Sequence, residues 1–184
     1  YKDSFFVNSL FIGANVRHTL KQGNGSYTPM FLSEMANSIR KGMIKVDVAL
    51  IQVSPPDEHG YCSLGTSVEN ARAAIDSARV VIAQVNKHMP RTFGDGIIHH
   101  SKINFCVEHH VPIYTLDNGE ITPDEQKIGN YIAQLIDDKS CLQMGIGSIP
   151  NAVLSNLTNH KGLGLHTEMF SDGVIPLVKS GVIT

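Results

Sequence analysis

The chain contains no tryptophan, only three cysteines, a charged fraction of just 17% and no apolar run long enough to span a bilayer. Each shortage narrows the reading. A membrane-spanning helix needs about 20 consecutive apolar residues, and no such stretch exists. No signal-peptide pattern stands at Tyr1. Cys62, Cys106 and Cys141 are far apart and odd in number, which argues against a disulfide framework and for a reducing compartment, so a cytoplasmic location is expected. The net charge of −2 comes without a lysine or arginine stripe, so neither nucleic acid nor a membrane is an expected partner. So small a charged fraction points instead to surface covered by further chain or by a partner subunit, and a homo-oligomer is expected.

What is present is an alternation of short apolar runs with amphipathic stretches, without internal repeats or low-complexity segments. Residues 46–53, Val-Asp-Val-Ala-Leu-Ile-Gln-Val, are β-branched and nearly all apolar, which predicts a strand covered on both faces of a parallel sheet. A turn-rich loop, Ser54-Pro55-Pro56-Asp57-Glu58-His59-Gly60, follows. Val68, Ala71, Ala74 and Ile75 recur at helical spacing over residues 67–77, and residues 79–85 return to strand character. Further strands are predicted at 103–107, 113–116, 141–144 and 163–167, with helices over 148–157 and 171–179. Thr122-Pro123-Asp124-Glu125 reads as an N-cap, a proline at the first helical position and acids in the first turn. The helix it opens is expected to run to about Asp138, with Ile128, Tyr131, Ile132, Leu135 and Ile136 as its apolar face.

Strands alternating with crossover helices define an α/β fold built on a parallel sheet. A hinge is predicted near residues 118–122, where one strand set ends and a second β-α-β series begins. The 184 residues suffice for one domain with a sizeable core and the start of another. The chain begins at Tyr1 without an initiator methionine and stops at Ser180-Gly181-Val182-Ile183-Thr184, where a new element is due. It is therefore expected to be incomplete, with any site that needs later residues only half present.

Open parallel sheets bind ligands outside the carboxyl ends of their strands, and two predicted strand-to-helix junctions meet that condition. Gly145-Ile146-Gly147-Ser148-Ile149-Pro150 lets backbone approach a ligand, and the helix it opens starts with unsatisfied N–H groups that can hold an anion or a developing oxyanion. A tight structural turn accounts for Gly-x-Gly equally well, and the third glycine of a dinucleotide fingerprint is missing. The second junction, His166-Thr167-Glu168-Met169-Phe170-Ser171-Asp172-Gly173, puts one carboxylate at the end of a buried strand. Glu168 is either a cap for the following helix or, desolvated with donors nearby to keep it ionised, a nucleophile. His166 would share its strand face, and either orients that carboxylate or fills a half-buried position. Asp172, in the first turn of the helix, is favoured there on structural grounds alone. His99-His100 and His109-His110 tempt a metal reading. Neighbouring side chains on a strand face opposite ways, though, and no His-x-x-x-His or cysteine pair accompanies them, so no metal site is expected.

Four segments in order, residues 47–57, Met89-Pro90-Arg91-Thr92-Phe93-Gly94-Asp95, the glycine loop at 145–150 and the octapeptide at 166–173, carry a resemblance. The chain, from about Tyr27 onward, resembles the acetyl-CoA hydrolase/transferase family of class I CoA-transferases, in particular its 4-hydroxybutyrate and butyryl-CoA:acetate CoA-transferases. The resemblance implies a two-domain enzyme of α/β units of the NagB/RpiA/CoA-transferase-like kind. Residues 1–120 would be most of the first domain, and residues 121–184 its end and the start of the second. Glu168 then corresponds to the family's catalytic glutamate, and Gly145, Ile146, Gly147, Ser148 and Ile149 to a CoA-binding segment, with His166, Asp172 and Arg91 in support.

The implied substrates are an acyl-CoA and a short-chain carboxylate, exchanged by a ping-pong route through a glutamyl-CoA thioester. CoA is substrate rather than cofactor, and no metal, ATP or redox group is expected. Water in place of the acceptor would make the protein a hydrolase, and a non-catalytic ligand-binding module is the third reading. Tyr27-Thr28-Pro29, Ser54-Pro55-Pro56-Asp57 and Met89-Pro90-Arg91-Thr92 either line the acyl pocket or serve as turns. Arg91 either pairs with an acceptor carboxylate or holds its loop by a salt bridge. Because further CoA contacts and oxyanion donors would belong to a missing C-terminal part, the chain alone is expected to be inactive.

Overall fold

The computed structural model describes residues 3–116 and 119–184. Asp117 and Asn118, where the predicted hinge begins, lie outside the described residues. The chain folds as two compact units, Tyr1–Tyr114 and Thr115–Thr184.

In order, the first unit carries β1 (Val7–Ser9), α1 (Arg17–Lys21), β2 (Gly25–Tyr27), α2 (Leu32–Arg40), β3 (Val48–Val53), β4 (Tyr61–Ser63), α3 (Ala71–Ser77), β5 (Val80–Val85), β6 (Ile97–His99), a 3-10 turn at His100–Lys102 and β7 (Phe105–Glu108). β1 and β2 pair in parallel around α1, and β4 and β6 pair antiparallel. The main sheet is parallel in the order β3-β5-β7, with β3 and β5 in register from Val48↔Val80 to Val53↔Val85. Ala49, Val53, Val81 and Ala83 on one sheet face meet Cys62, Leu64, Ile75 and Ile98, so the core forms under α3 and the β4–β6 pair.

The expectation that this sheet is covered on both faces is corrected. Both chain connections pack on the same side, and Val48, Leu50, Phe105 and Val107 on the other side are exposed, Leu50 at 77%. The predicted strand at 113–116 does not form either; Pro112 has no donor for a ladder, and Tyr114 and Leu116 stand exposed without a strand partner. The helix predicted from residue 67 starts only at Ala71, which leaves Val68 outside it.

The second unit holds α4 (Pro123–Ala133), β8 (Cys141–Leu142), α5 (Ser148–Ser155), β9 (Gly164–Leu165) and α6 (Val174–Lys179). β8 and β9 are parallel, and Leu154, Leu157, Leu163, Val174 and Leu177 form a core of their own. Thr122 caps α4 as expected, and a full capping box closes, because Glu125 reaches back to the Thr122 N–H at 2.8 Å. α4 ends at Ala133 rather than at Asp138, and its buried face is not the predicted one. Gly129 and Ala133 are buried, and of the predicted face only Ile136, past the helix end, packs partly against the core, whereas Ile128, Tyr131, Ile132 and Leu135 are exposed. The reason is proximity: a Cβ on Gly129 would sit 2.6 Å from the Ala152 carbonyl carbon, so only the smallest side chains fit between α4 and α5. Parallel sheets and crossover helices thus give the α/β class that the pattern predicts. All three cysteines are free, and burial pushes the Cys62 thiol up. No helix among the described residues is long and apolar enough to cross a membrane.

Candidate active site

β8 and β9 end side by side, and the glycine loop and the Glu168 bend leave from those ends. Gly147, the N-cap of α5, takes φ 115° and ψ −175°, a backbone that side-chain-bearing residues rarely adopt. No side chain caps α5, and its first helical bond runs from the Asn151 N–H to the Gly147 carbonyl at 3.1 Å. Pro150 has no N–H to leave bare. Among the described residues, the amides of Gly145 to Ile149 donate no hydrogen bond, so the loop presents a row of free donors at a helix N-terminus. A groove of about 220 Å³ adjoins it, lined by Ile132, Ile136, Leu142, Met144, Gly145 and Ile149 among others.

The predicted strand at 163–167 stops at Leu165 because Thr167 replaces the ladder with its side chain. The Thr167 hydroxyl oxygen accepts from the Met144 N–H at 3.1 Å and faces the carbonyls of Met144 and Met169 at 3.1 and 2.8 Å. The chain bends there, leaving Glu168 exposed and without a hydrogen-bond partner among the described residues. Two expectations are corrected by this strap. His166 is exposed, lies beyond the strand and makes no bond to Glu168, and Glu168 is not desolvated in this chain. Asp172 is also displaced. It is exposed, one residue ahead of the N-cap Gly173 rather than in the first turn of α6. At the far end of the bend, the Ser171 hydroxyl donates to Asn151 Oδ1 at 2.6 Å and accepts from the Gly173 N–H at 3.2 Å. The bend is thus fastened through Thr167 to the residue before the glycine loop and through Ser171 to the helix after it.

Sequence reasoning missed two residues of this arrangement, Thr167 and Glu125. Glu125 Oε2 accepts from the Thr122 N–H and hydroxyl, both at 2.8 Å, and its Oε1 accepts from the Ser148 hydroxyl. These bonds hold its carboxyl below the ordinary value, the Ser148 bond first among them. The Thr-x-x-Glu spacing marks Glu125 as a capping acid but gives no sign of its bond to Ser148. Thr167 carries no comparable pattern.

Arg91 belongs to the first unit, where its guanidinium donates to Asp57 Oδ2 at 2.6 Å and to the Tyr61 carbonyl at 3.1 Å. Asp57 also accepts from the amides of Tyr61 and His59, and its carboxyl is held below the ordinary value, chiefly by the Tyr61 N–H. The buried Ser63 hydroxyl accepts from the amides of Gly65 and Thr92, both at 3.0 Å. The Ser54–Asp57 and Met89–Thr92 loops are therefore tied to the same short strand, β4. His99 packs edge-on to Tyr61, and His110 Nδ1 accepts from the Lys87 N–H at 3.2 Å. Among the described residues, no group of three or more His, Cys, Asp or Glu is placed to hold a metal.

The model of the acetyl-CoA hydrolase/transferase N-terminal domain matches residues 2–116, more than half of the chain. The chain is 49% identical over 181 residues to the succinyl-CoA:acetate/propanoyl-CoA:succinate CoA transferase of Fasciola hepatica, a match covering 98% of this chain and 38% of that protein. It is 49% identical over 179 residues to the 4-hydroxybutyrate coenzyme A transferase of Clostridium kluyveri, covering 97% of this chain and 42% of that one. The solved 4-hydroxybutyrate CoA-transferase of Porphyromonas gingivalis is similar at a TM-score of 0.82 and 39% identity, over 99% of this chain and 48% of its own. The chain belongs to the acetyl-CoA hydrolase/transferase family. It spans about two fifths of the length of the curated relatives it matches.

Proposed function

We propose that the protein to which this chain belongs moves CoA between an acyl-CoA and a short-chain carboxylate, with Glu168 as the nucleophile. The observation that carries this reading is a free carboxylate beside a row of free amides, at the ends of adjacent parallel strands and strapped together by Thr167. Relatives named for CoA transfer to acetate and for 4-hydroxybutyrate support the substrate class.

A Glu168 carboxylate oxygen adds to the thioester carbonyl; the C–S bond then breaks, leaving an acyl-glutamyl anhydride and CoA thiolate. The thiolate adds to the glutamyl carbonyl and expels the first carboxylate, which leaves a glutamyl-CoA thioester. An acceptor carboxylate attacks that thioester, and the same steps in reverse deliver the new acyl-CoA. Every addition builds an oxyanion, for which the amides of residues 145–149 are suited donors; loss of one such donor typically costs ~10²–10³-fold in rate. Carboxylate and thiolate simply exchange, so the scheme calls for no ATP, metal or redox group. The remaining CoA contacts are assigned to the rest of the protein, and the chain by itself is expected to be inactive.

The test is to incubate the full-length protein with acyl-CoA, reduce with borohydride and examine the peptide carrying Glu168 by mass spectrometry. Modification at Glu168 is expected; turnover with no modification there would remove the covalent route. Hydrolysis is the second reading, favoured by the exposure of Glu168 to water in this chain. CoA release at the same rate with and without added acetate would put it in place of transfer.

A further inference from the structure

The glycine loop has one polar tether. Among the described residues, the Ser148–Glu125 bond is the sole side-chain hydrogen bond made by residues 145–149. Its other end sits on α4, and the placement is repeated one turn along both helices, where Gly129 lies against Ala152. Glu125 and Gly129 are four residues apart on α4, as Ser148 and Ala152 are on α5, so the two helices run in the same direction with their N-termini together. Close backbone approach at Gly129 sets the spacing, and Glu125 holds the first residue of α5 at that spacing. With its hydroxyl turned to α4, Ser148 keeps its backbone amide among the free donors of the loop.

We propose that Glu125 is a positioning residue, fixing the glycine loop through Ser148 in the arrangement that receives CoA. The inference rests on the reading of residues 145–149 as the CoA-binding segment. The competing account is local: as the acid of the capping box, Glu125 would stabilise α4 and nothing else.

The two accounts part in the full-length protein. CoA binding by calorimetry and steady-state kinetics are measured for Glu125→Ala, Ser148→Ala, the double variant, Glu125→Gln and Thr122→Ala. The expected result is CoA binding about tenfold weaker in Glu125→Ala and in Ser148→Ala, with kcat/KM lowered by at least as much. The double variant should be no worse than either single one. Glu125→Gln retains an acceptor for the Ser148 hydroxyl and should recover most of the affinity. Thr122→Ala, which breaks the capping box but leaves the Ser148 bond, should lower Tm and leave CoA binding unchanged. Undiminished CoA binding in Ser148→Ala, or an equal loss in Thr122→Ala, would overturn the proposal. If Glu125→Ala does not fold, Ser148→Ala carries the measurement, since it leaves the box intact. Failure of the unsubstituted protein to bind CoA would overturn the CoA reading of the loop and this inference with it. Normal binding that none of the variants weakens would overturn the inference alone.

Discussion

Two carboxylates of the second unit stand in opposite circumstances. Glu125 accepts three hydrogen bonds, whereas Glu168 accepts none among the described residues. An unpartnered carboxylate can be replaced by its amide at little cost to the fold, so Glu168→Gln in the full-length protein is expected to abolish CoA transfer, by at least ~10³-fold, with Tm unchanged. Asp57 in the first unit is the contrasting case. Its ionised form is favoured in the fold, so its stabilisation is whole above the ordinary carboxylate range and is lost as pH falls through the lowered pKa. Asp57→Asn should therefore melt at lower temperature than the unsubstituted chain at neutral pH, and the gap should narrow in a series of melts as the pH falls through the lowered pKa. The bend that carries Glu168 was legible in the sequence because one short motif marks it. Glu125 and Thr167 were not, since each bonds to a partner 23 residues away, Ser148 and Met144, and nothing local announces that pairing.

Elements whose causes are local were legible as well. The β-branched runs of β3 and β5 and the Thr122-Pro123 start of α4 appear where the pattern predicts them. Properties set by neighbours were not. The large apolar residues of α4 mark its open side, because α5 approaches too closely to admit them, and the run at 113–116 found no strand to pair with. Gly129→Ala tests that closeness directly. Alanine is worth about 1 kcal/mol more than glycine inside a helix, but here its methyl meets backbone atoms of Ala152, which cannot turn aside. Forcing in an extra carbon at a tight contact costs about 1–3 kcal/mol, and more against rigid backbone. A net loss of about 1–2 kcal/mol is expected in urea unfolding, and a gain in stability would show that α4 and α5 are less tightly apposed than described.

On the scale of the whole chain, the aromatic residues stand out by position. All seven phenylalanines are exposed, Phe105 among them on the bare face of the parallel sheet. Parallel sheets are ordinarily covered on both faces, so the 184-residue chain alone is expected to bind an apolar dye such as ANS and to self-associate at micromolar concentration. A monomeric, dye-silent chain in light scattering and fluorescence would show that the face is closed in solution. The two cores described above have a further consequence. They share no residue, so nothing within either obliges the chain to lose both at once, and all-or-none melting is not its default. A calorimetric scan should then resolve two heat-absorption peaks, with Asp57→Asn shifting one and Gly129→Ala the other, and no single midpoint would describe the molecule.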